Sequence, residues 1–189
     1  PDPKVDVRST MEVMVRAQEE GKLGAVGLSN TNPDDLAKAQ EIGEIAVCQG
    51  EFNLFQPYMR DNLFDLFKEA GIGCMSWGTL EKGILTGRVT PNRTYDQTDV
   101  RSHAPWWTSA DHTRHFQVME RIIPLLEECG HTGLELALSH NLSYSELSTA
   151  LCGARNRQQL EGVIAAVENP VGDDLLGECR RIQAEIFSE

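Results

Sequence analysis

The sequence predicts an α/β fold built from parallel (β/α) units. Two observations carry that reading. Short apolar runs, too brief for helices, alternate with longer amphipathic stretches. Each run is also nearly continuous in apolar character, as strands covered by helices require. Four such strands are readable, whereas a complete eight-stranded barrel takes about 250 residues. With 189 residues, the expectation is a small open sheet or a half-barrel of the TIM type. It would have four strands, an extra C-terminal helix and a single domain over residues 1–189.

The elements follow in order. From Val7 to Glu20, apolar side chains recur at Val7, Met11, Met14 and Val15, with Ser9 near the start and Gly21 past the end, which predicts a helix. "GAVGLS" (24–29) predicts a strand. "NPDDLAKAQEIG" then offers an Asn32 cap, a first-turn proline and two early acids, the signature of a helix N-terminus. The pattern repeats in "IAVCQ" (45–49) and a helix over 57–71, and again in the strand "GIGCMSW" (71–77). A long segment follows before a helix from Thr113 to Cys129, and a loop of that length is usually functional. A helix over 133–141, a strand "STALCG" (148–153), a helix over 156–168 and an amphipathic terminal helix over 172–187 complete the reading.

Charge and cysteines narrow the function classes. A balance of 17 basic against 29 acidic residues gives a net charge of -12, which repels nucleic acid and anionic membranes but leaves room for a local basic pocket for one small anion. The five cysteines are odd in number, widely spaced and without a C-x-x-C pair, so reduced thiols are expected. No apolar run reaches the roughly 18 residues of a membrane span and no leader is visible, so a cytoplasmic protein is expected.

In parallel α/β sheets ligands bind beyond the carboxyl ends of the strands. Those ends carry Ser29 and Asn30, then Gln49 with Glu51 and Asn53 beyond, then Trp77, Gly78 and Thr79, and finally Gly153, Ala154 and Arg155. Amides, hydroxyls, one large ring and a cation suit a flat heteroaromatic ring bearing an amide, together with a phosphate. Taken singly, Ser29 and Asn30 also read as capping residues and Trp77 as a core aromatic.

"GKLGAVGLSN", "VCQGEFNLFQP", "GIGCMSWGTLEKGILTG" and "LCGARNRQQLEGVIAAV" resemble, in order, successive signatures of the aldo-keto reductases, an NADP(H)-dependent α/β-barrel family. The branch most similar contains bacterial sugar and aldehyde reductases and potassium-channel β-subunits. The resemblance implies reversible reduction of an aldehyde or ketone to an alcohol by hydride from the nicotinamide, with a small carbonyl compound as substrate. It implies that Ser29, Asn30 and Gln49 bind the nicotinamide carboxamide and that Trp77 stacks on the ring. Gly78, Thr79, Leu80 and Lys82 match the pyrophosphate turn, Arg88 matches a cationic position after the "GILTG" turn, and Arg101, in "YDQTDVRSH", falls where the family's long loop closes over the cofactor. Gly153, Arg155 and Gln159 match the segment around the adenosine 2'-phosphate. Gly162 and Val163 depart from a Glu-Asn pair that contacts adenine in the family, and Gly78 and Thr79 from a common Ser-Pro pair.

The family's catalytic tetrad of Asp, Tyr, Lys and His precedes a phrase resembling the opening "PDP", and none of the four matches a residue here. The expectation is therefore a carboxyl-terminal half that holds the cofactor and is inactive alone. An alternative is a non-enzymatic half-barrel, a cofactor-binding or interaction module that self-associates to cover its open sheet. A further alternative is a tetrad completed by another polypeptide.

Other signals are weaker. His112 and His115 beside Asp111 have metal-binding spacing but lack further ligands, so no metal is expected. Trp106 and Trp107 either line a pocket or contact, or pin the long loop. Tyr58, Tyr95 and Tyr144 read as partly buried aromatics, and Cys48, Cys74 and Cys152 as small buried side chains.

Overall fold

In the computed structural model, which describes Asp2 and residues 4–188, helices and strands alternate as the apolar pattern requires. Pro1 and Pro3 of the opening phrase lie outside the described residues. The order is α1 (Val7–Glu19), β1 (Gly27–Ser29), α2 (Pro33–Gln40), β2 (Val47–Glu51), α3 (Tyr58–Asn62), α4 (Phe64–Ala70) and β3 (Gly73–Trp77). Two 3-10 turns (Glu81–Thr86 and Val100–Ser102) follow, then α5 (Pro105–Thr108), α6 (Thr113–Glu128), α7 (Gly133–Leu142), β4 (Thr149–Ala150), α8 (Arg157–Glu168) and α9 (Asp173–Ser188). The chain divides into two compact units. One holds the residues up to Thr79 with His140–Gly153, and the other holds Leu80–Ser139 and the residues from Ala154 onward.

The first unit contains the whole sheet, four parallel strands in the order β1-β2-β3-β4. Its register aligns Ser29 with Gln49, Met75 and Thr149, and Glu51 with Trp77. Because side chains alternate along a strand, Ser29, Gln49, Glu51, Met75, Trp77 and Thr149 share one face. Leu28, Cys48 and Cys74 point to the other face, into a core with Met11, Leu36, Phe52 and Phe67. That core explains why the sheet forms: it buries one strand face under α1, α2 and α4.

Several boundaries differ from the sequence expectation. Asp6, not Ser9, caps α1 through its side chain. Gly21 sits past the helix end at φ +72, as a C-terminal glycine should. The helix expected over 57–71 breaks at Leu63 (φ -129), which lets Leu63 and the adjacent Phe64 both enter the core. β4 is only two residues long, yet Ser148 N–H to Cys74 O and Leu151 N–H to Ser76 O extend its pairing on either side.

In the second unit α6 packs on α9, burying Val118, Ile122 and Leu126 among Leu176, Cys179 and Ile182. Arg121 pairs with Glu185 across that seam at 3.0 Å. The long segment between β3 and α6 is not structureless, since both 3-10 turns and α5 lie in it.

Candidate functional site

In the first unit the strand ends gather the ring-binding candidates. Asn30 directly follows β1 in the left-handed region at φ 54, a setting Asn tolerates better than most residues. Its N–H donates to Gln49 O at 2.8 Å. Its side-chain oxygen accepts from the Trp77 indole N–H at 2.9 Å, fixing a ring 47 positions away. Gln49 sits in register beside Ser29 and on the same face as Trp77. A cleft of about 240 Å³ opens beside these strand ends, lined by Asn30, Gln49, Glu51, Tyr58, Met59 and Trp77. Ser29 is exposed on the strand face and is not among the cleft-lining residues.

The end of β3 and the turn after it are held at each of residues 76–79. Ser76 Oγ accepts from Asn141 Nδ2 at 3.0 Å, and Trp77 O accepts from Phe52 N–H at 3.2 Å. Gly78 O accepts from Asn53 Nδ2 at 2.9 Å, and Thr79 donates its hydroxyl to Leu151 O at 2.9 Å. Gly78 lies at φ +70, and a Cβ there would crowd the Glu51 side chain, so glycine serves both the turn and the close approach. Gly153 ends the β4 segment, exposed and with open space around its Cα.

The second unit carries the cations. Leu80 precedes the 3-10 turn in which Glu81, Lys82 and Gly83 all have positive φ. Glu81 is buried, and Lys82 pairs with it at 2.8 Å. Arg101 is committed inward. Its fork grips Asp99 through Nε and Nη2 at 2.9 and 2.7 Å, and Nη1 donates to Lys82 O at 2.7 Å. That pairing holds the Asp99 carboxyl well below the usual carboxylate range and raises Arg101 above its usual value. Arg155, by contrast, is 72% exposed in its side chain and reaches Asp99 only at 3.5 Å. Asn156 caps α8, and Gln159 turns its side-chain oxygen back to accept from Arg155 N–H at 2.7 Å. Arg88 is exposed, and its carbonyl accepts from Arg93.

The tryptophan pair separates. Trp107 stacks on His112 at 4.4 Å, meets Tyr95 edge-on at 5.8 Å and lies under Arg101, so it pins the long segment, while Trp106 stays exposed. His112 and His115 lie 5.6 Å apart between ring centres, and among the described residues no three metal-ligating side chains cluster. Tyr144 packs edge-on against Phe52 and Phe64, and Tyr58 is exposed.

The Aldo/keto reductase family profile matches residues 1–184. The chain belongs to the aldo/keto reductase family. That family consists of oxidoreductases that draw on nicotinamide cofactors. Among aldo/keto reductases, the chain is similar to Aldo-keto reductase YhdN of Bacillus subtilis, with 28% identity over 86% of this chain and 50% of that protein. It is also similar to the NADH-specific methylglyoxal reductase of Escherichia coli, with 27% identity over 88% of this chain and 51% of that protein. The chain therefore spans about half the length of the curated relatives it matches. Its fold matches the glycerol dehydrogenase AKR11B4 from Gluconobacter oxydans with a TM-score of 0.81 at 24% identity, covering 98% of this chain and 56% of that one. The parallel four-stranded sheet is accordingly the TIM-barrel type of aldo/keto reductases.

Two residues that the strand-end reading did not single out for a role, Asn53 and Asn141, hold the turn at the site. Asn53 stood in plain view as a polar residue just past a strand end. Asn141 gave no local signal, because it reaches the turn from α7.

Proposed function

We propose that this chain is the cofactor-binding part of an NADP(H)-dependent aldo/keto reductase that reduces an aldehyde or ketone to an alcohol. One observation carries the reading: the Asn30–Trp77 pair and Gln49 stand together at the carboxyl ends of adjacent parallel strands. Ser29, Asn30 and Gln49 supply hydrogen-bonding groups for a carboxamide, and Trp77 supplies a fixed aromatic face. Gly78 and Thr79 shape the turn that follows, and Gly153 leaves the backbone open to close approach. In the second unit Leu80, Lys82 and Arg88 belong to the phosphate end, Arg101 braces the Lys82 backbone, and Arg155 with Gln159 at the start of α8 takes the 2'-phosphate. Residues 1–189 act as one domain in this reading. When bound, the cofactor supplies the hydride; the chain's own residues bind and orient it.

The chain alone is expected to bind without turnover, because carbonyl reduction needs a proton donor with a tuned pKa. Two of its tyrosines are otherwise placed, Tyr95 against Arg101 and Trp107 and Tyr144 among phenylalanines, while Tyr58 lines the cleft. Fluorescence titration of the chain with NADPH tests the reading. Saturable quenching that is lost in Gln49→Ala supports it, and an unresponsive wild-type chain refutes it.

A second reading is a non-enzymatic module that self-associates. The exposed stripe Leu160, Ile164 and Val167 on α8 favours it, since helix faces of that kind are normally covered. Sedimentation velocity distinguishes the two readings: a dimer abolished by Leu160→Glu supports the second, and a monomer rejects it.

A further inference from the structure

We propose that Asn53 is a positioning residue for the nicotinamide ring: by holding Gly78 in its left-handed setting it fixes the direction in which the Trp77 platform faces. The proposal rests on the cofactor reading above and adds a residue to it.

Gly78 has no conformational preference of its own to supply. Glycine visits positive and negative φ about equally, so its φ of +70 must be selected by what surrounds it. The Glu51 side chain lies 3.0 Å from where a Cβ would stand, which keeps the position for glycine. The selection of φ comes from Asn53, whose Nδ2 donates to Gly78 O at 2.9 Å. Asn53 can do this because it is itself immobile. It is fully buried, and its Oδ1 accepts from Phe55 N–H at 2.8 Å, so its amide cannot flip without losing both bonds.

The same strand end is also tied to β3 just before Asn53's bond. Phe52 N–H donates to Trp77 O, and Asn141 Nδ2 bridges Phe52 O at 2.9 Å and Ser76 Oγ at 3.0 Å. Residues 52 and 53 therefore form a buried template against which residues 76 to 78 are set. The indole hydrogen bond to Asn30 then fixes the ring's remaining rotation. If the Asn53 bond is lost, Gly78 regains its alternatives, and the backbone that carries Trp77 is held on its N-terminal side only, by Phe52 and Asn141.

A purely structural asparagine would weaken every ligand alike, whereas a positioning one acts on the ring alone. The test therefore compares NADPH with 2'-phospho-ADP-ribose, which is the same molecule without the nicotinamide, on wild-type chain and on Asn53→Asp. Aspartate keeps the oxygen that accepts from Phe55 N–H and sets a second oxygen against the Gly78 carbonyl. The expected result is about tenfold weaker NADPH binding, with 2'-phospho-ADP-ribose unchanged within about twofold. Equal weakening of both ligands, or of neither, overturns the proposal. Should Asn53→Asp not fold, Asn53→Ser carries the same comparison with the same two outcomes. A wild-type chain that binds neither ligand would overturn the cofactor reading itself. One that binds both with equal affinity would leave the cofactor reading standing and remove Trp77, and with it Asn53, from ring binding.

Discussion

Replacing Arg155 with alanine should change which cofactor the chain prefers more than how tightly it binds cofactor at all. The magnitude follows from the surroundings of the guanidinium. The Arg155 side chain is 72% exposed, and its contact with the Asp99 carboxylate is long at 3.5 Å. Surrendering a surface pair of that kind costs about 0–1 kcal/mol. A charge-assisted hydrogen bond to a phosphate contributes about 1.5–3 kcal/mol. The net gain of about 1–2 kcal/mol corresponds to roughly 5- to 30-fold in affinity. It applies only to the cofactor that carries a 2'-phosphate. Arg155→Ala should therefore raise the Kd for NADPH by about 5- to 30-fold and leave the Kd for NADH within about twofold. Parallel fluorescence titrations at low and high salt measure both constants, and the NADPH effect should shrink as salt screens the exposed cation. Equal loss for both cofactors, or a change confined to NADH, would show that Arg155 does not face the 2'-phosphate. Aldo/keto reductases related to this chain include an NADH-specific enzyme, so the ratio is the informative quantity.

Three further outcomes are expected. Gly133→Ala should destabilise the protein by about 1–3 kcal/mol although alanine is the better helix former, because the new Cβ overlaps the Leu85 carbonyl oxygen, which cannot swing aside; an unchanged urea midpoint would contradict this. Burial lowers the pKa of both His112 and His115. Their contribution to stability is present above the unfolded value near 6.5 and is lost as pH falls from there through the lower folded values. Wild-type Tm should therefore drop more than that of His112→Gln/His115→Gln between about pH 8 and about pH 5, and parallel curves would refute the assignment. Among the thiols, Cys129 is exposed, whereas burial pushes Cys48 up to about 11, Cys74 to about 12 and Cys179 to about 11. A thiol reagent should accordingly label Cys129 first in the native protein, and rapid labelling that survives Cys129→Ser would contradict the buried environments.

Much of this chain's structure is legible in its sequence. Helix starts at Asn32 and Asn156 and the stop at Gly21 rest on chemistry within a few residues, so they are visible as sequence. The parallel sheet followed from apolar runs alternating with amphipathic ones, and the candidate residues at its strand ends followed from the rule that ligands sit there. The order of the motifs pointed to the family.

Only the tertiary structure decided the partners. Nothing local indicates that Trp77 will donate to Asn30, that Asn141 will reach Phe52 and Ser76 from α7, or that Arg101 will spend its fork on Asp99 and the Lys82 carbonyl while Arg155 stays exposed. Likewise, the break at Leu63 interrupts a stretch whose pattern reads as one continuous helix, because the core admits Leu63 and Phe64 together. The reason is the same in each case. Capping and periodicity are set by neighbours along the chain, whereas a side chain's partner is set by strand register and packing between segments tens of residues apart.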